Sequence, residues 1–432
     1  MQVFKFGGAS VNSADAVRNV ASIVKEYGVQ PLVVVVSAMG KTTNALEKLV
    51  PGVSNEPAER QRVFDTLHDY HFDIIEGLFV PESDSPAHIG MAKAALRTVS
   101  EKVDTYFELL RMRIEAEPYH YAMEYDQIVS FGELISTTII SEYLNFKGLF
   151  NRWIDVREII RTDATYREGH VDWNATMLNV RTKLLSDTNT TLFITQGFIA
   201  GTISHTTTTL GREGSDYSAA ILSYCLDAEK MTIWKDVPGF LNADPKFFSD
   251  TVKIDHLPYN EAIELAYYGA SVIHPKTVKP LQNKGIKLHI KSFVDPEKEG
   301  SVIGPYSTIV PQTPLYIFKN NQVLLSILPK DFSFIAEDNM QHIFAALASA
   351  GIRVNLMQNS ALSFSVCIDD NPVLLSQVQD VLAPMFRLRY NKDLQLITIR
   401  YYTQEIIDRI VGNRTILLQQ RSRTTTQLIV EA

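Results

Sequence analysis

The sequence predicts an α/β protein with a mainly parallel central sheet, followed by a separate, smaller region of βαββαβ pattern. Three observations carry that prediction. PLVVVVSAMG is an unbroken β-branched run of the kind buried on both faces of a parallel sheet. Strand-like runs alternate with helical patterns up to about residue 300, as an α/β core requires. Beyond SVIGPYSTIVPQTP, rich in proline and polar residues, the pattern shortens into compact strands and helices. A chain of 432 residues, 45% hydrophobic and 21% charged, is long enough for two to three domains.

Taken in order, VFKFGG starts as a strand, breaks at Gly7 and Gly8, and gives way to the helical segment SADAVRNVASIVKEYG. After PLVVVVSAMG, Thr43 and Asn44 precede apolar residues at helical spacing, which suits a helix N-terminus. Residues 56 to 146 read as a helical lobe, with apolar Val63, Phe64, Leu67, Ile74, Ile75 and Leu78 and a loop at PESDSPAHIG. TLFITQGFIAG and AEKMTIWKDVPGF are strands, separated by the loop TISHTTTTLGREGSD and the helix YSAAILSYCLD. LPYNEAIELAYYGA is a further helix and GIKLHIKSF a further strand. In the tail, VLLSILPKD, MQHIFAALASAG, IRVNLMQN, LSFSVCID, PVLLSQVQDVLAP and FRLRYN make βαββαβ. LQLITIRYY, QEIIDRIVGN, TILLQQRS and TTTQLIVEA make a partial second copy, βαββ.

A formal charge of −8 argues against a general nucleic-acid or membrane-surface role, because nothing would neutralise a row of phosphates. The two cysteines, Cys225 and Cys367, lie far apart in apolar segments and imply neither a disulfide framework nor a zinc site. No secretory pattern opens the chain and no apolar run approaches the ~18 residues that span a bilayer, so a cytoplasmic protein is expected.

Three loops carry chemistry. In KFGGAS, the glycines either serve a sharp strand-to-helix turn or let backbone N–H groups approach an anion, with Lys5 adding a point charge. Neither GxxxxGK[ST] nor GxGxxG is present. In GREGSD, Ser215 or Asp216 is placed to cap the following helix, while Arg212 on a glycine loop suits bidentate capture of a carboxylate or phosphate. In WKDVPGFLNADPK, Asp236 ends a strand ahead of a turn-rich loop. Loops at the carboxyl ends of parallel strands are where α/β proteins hold ligands.

KFGGAS, VVVSAMGKTTNAL, SFGE, QGF, GREGSDYSA, WKDVPGFLNADP and ELAYYGASVIHP occur in the order and approximate spacing of the amino-acid kinase family. Together they resemble the aspartokinases, and the tail is similar to their paired ACT modules, each a ferredoxin-like βαββαβ unit. The resemblance implies a catalytic domain over 1–302, with an amino-acid lobe to about 195 and a nucleotide lobe from 196. It implies a linker over 303–314, a first ACT module over 315–392 and a second, shortened one over 393–432. Phosphoryl transfer from ATP, with Mg2+, to the β-carboxylate of L-aspartate is the implied activity.

A carboxylate is already ionised at neutral pH, so no general base is needed and the difficulty is bringing anion to anion. By resemblance, Lys5 faces the transferring phosphoryl group with Gly7 and Gly8, and Asp216 organises Lys5. Ser37, Thr43 and Ser215 fall among substrate contacts, Glu133 faces the ammonium group, Arg212 clamps a carboxylate and Phe198 lines the pocket. Glu133 also reads as an ordinary first-turn acid of a helix. The nucleotide positions, Lys235, Asp236, Leu241 and Lys246, depart from the usual pattern, which has threonine, tyrosine and arginine in place of Lys235, Leu241 and Lys246. Ser271 stands where many members have a second lysine, a charge that Lys276 or Lys235 would supply. His274 reads as a packed or capping residue.

For the tail, the resemblance implies a homodimer through the ACT modules and feedback by an end product such as lysine or threonine. Val354, Asn355, Asn359 and Ser360 fall at its regulatory positions, while KDFSF, near Phe334, departs from the usual glycine-containing loop. A different amino-acid kinase and a non-catalytic ACT amino-acid sensor are the alternative readings.

Overall fold

The structure, a computed structural model, describes residues 1–53, 56–81, 83–187, 189–248, 250–270, 273–331 and 333–432. Its chain forms two compact units. One comprises Met1–Phe240, Lys253–Ile263 and Val272–Val310; the other comprises Leu241–Val252, Glu264–Ser271 and Pro311–Ala432. The ranges expected from sequence are contiguous, whereas two short excursions from the first 302 residues join the second unit.

The first unit is built on eight strands: β1 Gln2–Phe6, β2 Leu32–Val36, β3 Arg152–Ile154, β4 Leu192–Gln196, β5 Lys230–Lys235, β6 His256–Pro258, β7 Lys287–Ser292 and β8 Ser301–Gly304. Their order is β6-β8-β7-β5-β1-β2-β4-β3. All neighbours run parallel except β7 and β8. Both expected lobes therefore share one sheet. LVVVV is buried at every residue, as a central parallel strand requires. Helices α1 Ala14–Tyr27, α2 Thr42–Glu47, α3 Pro57–Leu78, α4 Pro86–Glu115 and α5 Tyr121–Phe146 come from the predicted helical stretch and its flanks. They bury Phe64, Leu67, Ile75, Val103, Phe107 and Ile139 with the sheet residues Phe4, Val34 and Ile194.

Further along lie α6 Trp173–Val180, α7 Gly214–Cys225, α8 Tyr259–Tyr268 and α9 Pro275–Lys284. The linker expected over 303–314 is structured at its start: β8 takes in its first residues, and Val310 bridges His256. Backbone pairing takes up groups that a slack connector would leave to water.

The second unit carries a six-stranded antiparallel sheet of β9 Leu315–Pro329, β10 Val354–Asn359, β11 Phe364–Asp369, β12 Phe386–Arg400, β13 Ile416–Arg421 and β14 Thr425–Glu431, in the order β10-β11-β9-β12-β14-β13. Helices α10 Glu337–Ser349, α11 Pro372–Leu382 and α12 Gln404–Val411 complete it. The boundary expected at 392/393 falls inside β12, and the two modules exchange a strand. Leu315–Lys319 pairs with Leu396–Arg400, whereas Gln322–Ile327 pairs with Asp369–Phe364 and Gln322–Pro329 with Leu394–Phe386. Asn321 and Asp393 take positive φ where the two long strands change partners. Tyr316 accordingly packs with Ile397, Ile407 and Leu428, while Val323, Leu325 and Ile327 pack with Ile343, Val366 and Phe386. The module read as shortened is completed by 315–319, a contribution its own sequence cannot reveal.

Candidate active site

Four neighbouring parallel strands, β5, β1, β2 and β4, end on one side of the first sheet, and the loops that follow them open into a cavity of about 950 Å³. Lys5, Gly8, Ser37, Thr43, Glu133, Phe198, Arg212, Ser215, Asp216 and Lys235 all line it. The KFGGAS turn enters it closely: a Cβ at Gly8 would stand 2.7 Å from Ala38 O and 2.8 Å from Gly40 O. Only glycine fits there. Gly7 caps the short helical turn behind Gly8 and is absent from the lining.

Lys5 Nζ lies 2.7 Å from Asp216 Oδ1, and Lys235 Nζ lies 3.7 Å from Asp216 Oδ2. Burial pushes the Asp216 carboxyl up, yet Lys5 and Lys235 outweigh it and hold the group below its ordinary range, charged at neutral pH. Neither Ser215 nor Asp216 caps α7. Glu213 is the N-cap in left-handed conformation, φ 53°, so the helix begins at Gly214 and both residues sit in its first turn. The glycines around Glu213 wind the chain early: Gly211 has φ 74°, and Gly214 is crossed by the Phe198 ring.

Thr43 lies within the first turn of α2, whose cap position is Lys41. Glu133 sits in the middle of α5, not in its first turn. Its residue is 2% exposed, Oε1 accepts from the Ala38 N–H at 3.4 Å, and Oε2 has no partner among the described residues. Burial pushes this carboxyl up to about 8 against the pull of that N–H. A neutral acid with an unused oxygen, buried beside a cavity, is ready to ionise towards an incoming cation. Arg212 is exposed.

Asp236 is exposed and absent from the lining, and Leu241 and Lys246 belong to the other unit. None of the three is in the cavity lining. Of the four nucleotide candidates, Lys235, the last residue of β5, lines the cavity. Ser271 lies outside the described residues. Lys276 is ion-paired to Glu168, and His274 caps α9, its Nδ1 accepting from the Lys276 N–H at 3.2 Å.

Sequence reasoning missed one wall of the cavity. Tyr125, Thr165, Tyr166, Arg167, Glu168, Thr209 and Glu213 line it. Asp126, buried on α5, holds that wall: it accepts from Arg167 N–H at 2.8 Å, Thr209 N–H at 2.9 Å and Thr209 Oγ1 at 2.8 Å. Burial pushes Asp126 up to about 6. Its position two helical turns before Glu133 was the available signal. Among the regulatory candidates, Val354, Asn355 and Asn359 lie on β10 and Ser360 follows it, its hydroxyl bonded to Ser363. Asn355 bonds Lys319, Gln322 and Asp369. Phe334 is exposed, and Phe332 of KDFSF lies outside the described residues.

Residues 1–292 match the amino acid kinase family. The chain is 33% identical over 372 residues to the lysine-sensitive aspartokinase 3 of Escherichia coli, covering 85% of this chain and 78% of that protein. An aspartokinase of Chlamydia pneumoniae is 28% identical over 403 residues, 92% of this chain and 84% of its own. The solved structure of E. coli aspartokinase III in complex with aspartate and ADP has a TM-score of 0.83 at 28% identity, covering 100% of this chain and 96% of that one. The same enzyme in complex with lysine and aspartate gives 0.81 at 28% identity, with the same coverage.

Proposed function

The chain belongs to the amino acid kinase family and, within it, to the aspartokinases, and we propose that it phosphorylates the β-carboxylate of L-aspartate with ATP. A carboxylate oxygen forms a bond to the γ-phosphorus while the bond from that phosphorus to the β,γ-bridging oxygen breaks. ADP leaves and 4-phospho-L-aspartate, an acyl phosphate, remains. The observation that carries the reading is the gathering of Lys5, Asp216, Glu133 and Arg212 around one cavity at the ends of adjacent strands.

Each side chain has a part that its chemistry supports. Lys5, fixed by Asp216, offsets charge on the transferring group, and the glycine turn brings backbone N–H groups near it. Glu133 receives the substrate ammonium, Arg212 takes a carboxylate, and Ser37, Thr43 and Ser215 supply hydroxyls around the acid, with Phe198 as the apolar wall. Magnesium on the nucleotide phosphates supplies further positive charge. No group of three or more His, Cys, Asp or Glu suited to a metal occurs among the described residues, so the fit is to an ion carried mainly by the phosphates. Asp216 and Glu213, acids that line the cavity, are the side chains that would hold it.

The E. coli structure with lysine supports lysine as the effector, and by resemblance it acts on the six-stranded unit through Val354, Asn355, Asn359 and Ser360. A homodimer through that unit completes the reading. No described helix is long and apolar enough to cross a membrane. Hydroxylamine trapping tests the activity: ATP and aspartate should give a hydroxamate, with glutamate and N-acetylglutamate far behind. No hydroxamate from any of the three acids would defeat the proposal.

A further inference from the structure

We infer that the first unit carries a second binding site, a cavity of about 480 Å³ that takes inorganic phosphate or the phosphate of a small monoester. Arg157, Arg161, Lys183, His205 and Thr206 line it with Asp155 and Glu158, and none of these residues lines the catalytic cavity. Four pieces of chain meet there: the turn Val156–Glu158, the short strand Arg161–Thr162, the turn Arg181–Leu185 after α6, and the hairpin of Ile199–Thr202 with Thr207–Thr209. Gly201 lets two of them touch. A Cβ on it would stand 2.2 Å from Arg157 O. The turn Arg181–Leu185 is wound in the wide π form, which is rare and often serves a site.

The charges in this cavity do not cancel. Asp155 is taken by Arg157, whose Nε and Nη2 donate to it at 2.9 and 2.6 Å, and Glu158 is taken by Lys183. Arg161 has no such acid. Its Nη1 donates to the Thr202 carbonyl, and it forms no ion pair among the described residues. Three permanent cations thus face two carboxylates, in a chain whose formal charge is −8, and the surplus sits at Arg161. A guanidinium carries five N–H donors, so a carbonyl leaves most of the fork for a ligand. His205 lines the same cavity from the hairpin turn, where its φ is 58°. A monocarboxylate would answer the planar fork alone. A tetrahedral phosphate offers oxygens in several directions and can meet Arg161, Lys183 and His205 together.

The site backs onto the catalytic cavity. Thr206 Oγ1 and the Tyr166 hydroxyl oxygen lie 3.3 Å apart, and Tyr166 lines the catalytic side. The strand Arg161–Thr162 runs on into the segment that gives Thr165, Arg167 and Glu168 to that same wall. Phosphate held by Arg161 therefore bears on the wall through both its ends.

The test is equilibrium dialysis of labelled inorganic phosphate against the full-length protein, with MgADP and aspartate saturating the catalytic cavity. One equivalent of phosphate should still bind. Arg161→Met should weaken it about tenfold or more, by loss of a charge-assisted contact. Glu158→Gln removes a like charge from the lining and should tighten it about threefold. Glycerol phosphate should compete and acetate at the same concentration should not. Should Arg161→Met not fold, Arg161→Lys, which keeps the charge without the fork, carries the comparison. Absence of saturable binding at millimolar phosphate, loss of binding when MgADP and aspartate are added, indifference to both substitutions, or equal competition by acetate would each overturn the site. Binding is independent of the kinase reading above, so a protein that forms no hydroxamate still tests it. The link to the wall rests on that reading: phosphate should shift KM for aspartate by about twofold or more in the unsubstituted protein and not in Arg161→Met. An unmoved KM with phosphate bound would overturn the link.

Discussion

The two sheets put their polar groups to opposite uses. In β5-β1-β2-β4 the strands run one way, so Lys235, Lys5, Ser37 and Phe198 emerge at a single edge and meet in one cavity. In the antiparallel sheet, neighbouring strands end at opposite edges, and its polar groups answer one another: Gln322 donates to Asp369 at 2.8 Å, Asn355 to Gln322 at 2.8 Å and Lys319 to Asn355 at 2.9 Å. The difference teaches where to look for ligands. A buried acid with a spare oxygen, as Glu133 has, is costly unless a partner arrives. A network that already satisfies itself opens only to a ligand that replaces its bonds, as the effector proposed at Asn355 would have to.

The sharpest way to break this contrast is Lys5→Met, expected to lower kcat by roughly 10²–10³ and also to lower the melting temperature, since buried Asp216 loses its nearer charged partner. Steady-state kinetics with calorimetry checks both halves. Next is Glu133→Gln, which should raise KM for aspartate about tenfold or more, by loss of a charge-assisted hydrogen bond. The unsubstituted protein carries a sign that the variant lacks. Its Glu133 holds a proton below about pH 8, and an ammonium ligand favours the ionised form, so binding expels that proton. Aspartate affinity should climb with pH up to about 8 and then level. Calorimetry at pH 7 in buffers of different ionisation heat should show proton release, absent in Glu133→Gln.

On the antiparallel side, Leu325→Ala removes a fully buried side chain and should cost about 2–5 kcal/mol of that unit's stability. Turnover measured below the resulting transition should stay within about twofold. The smallest effect belongs to Asp126→Asn, which keeps an acceptor for the Arg167 and Thr209 N–H groups. Asp126 has its folded value raised to about 6, so its stabilising share is complete below the unfolded value near 4 and fades as pH rises through 6. Asparagine does not titrate. The variant's melting temperature relative to the parent should therefore improve between about pH 4 and 6 and then flatten.

Much of the cavity was legible because its parts are local motifs. KFGGAS, GREGSD and QGF each fix a turn from a few adjacent residues, and the strand–helix alternation puts those turns on one edge. What stayed hidden depends on distant pairing. Nothing around Arg167 and Glu168 separates DATYREGH from a solvated turn; Asp126, some forty residues earlier, holds it in the wall. Leu241 and Lys246 looked like neighbours of Lys235 by sequence, yet the chain carries them into the other unit. The helix cap failed for a smaller reason: a left-handed Glu213 starts α7 before the expected Ser215.

The fifteen-residue strand β9 is shared property. Its first part belongs with residues near 400 and its last part with residues near 366 and 388, so one module is nested inside the other like a clause inside a sentence. During folding, the outer module cannot close until everything between Lys319 and Leu394 has been gathered in, and prior collapse of the inner module shortens that loop and lowers its entropic cost. No single cut in the gene frees either module whole. A domain-exchange experiment on this tail can lift the inner module as one continuous segment, but must transplant the outer one in two segments or move both modules together.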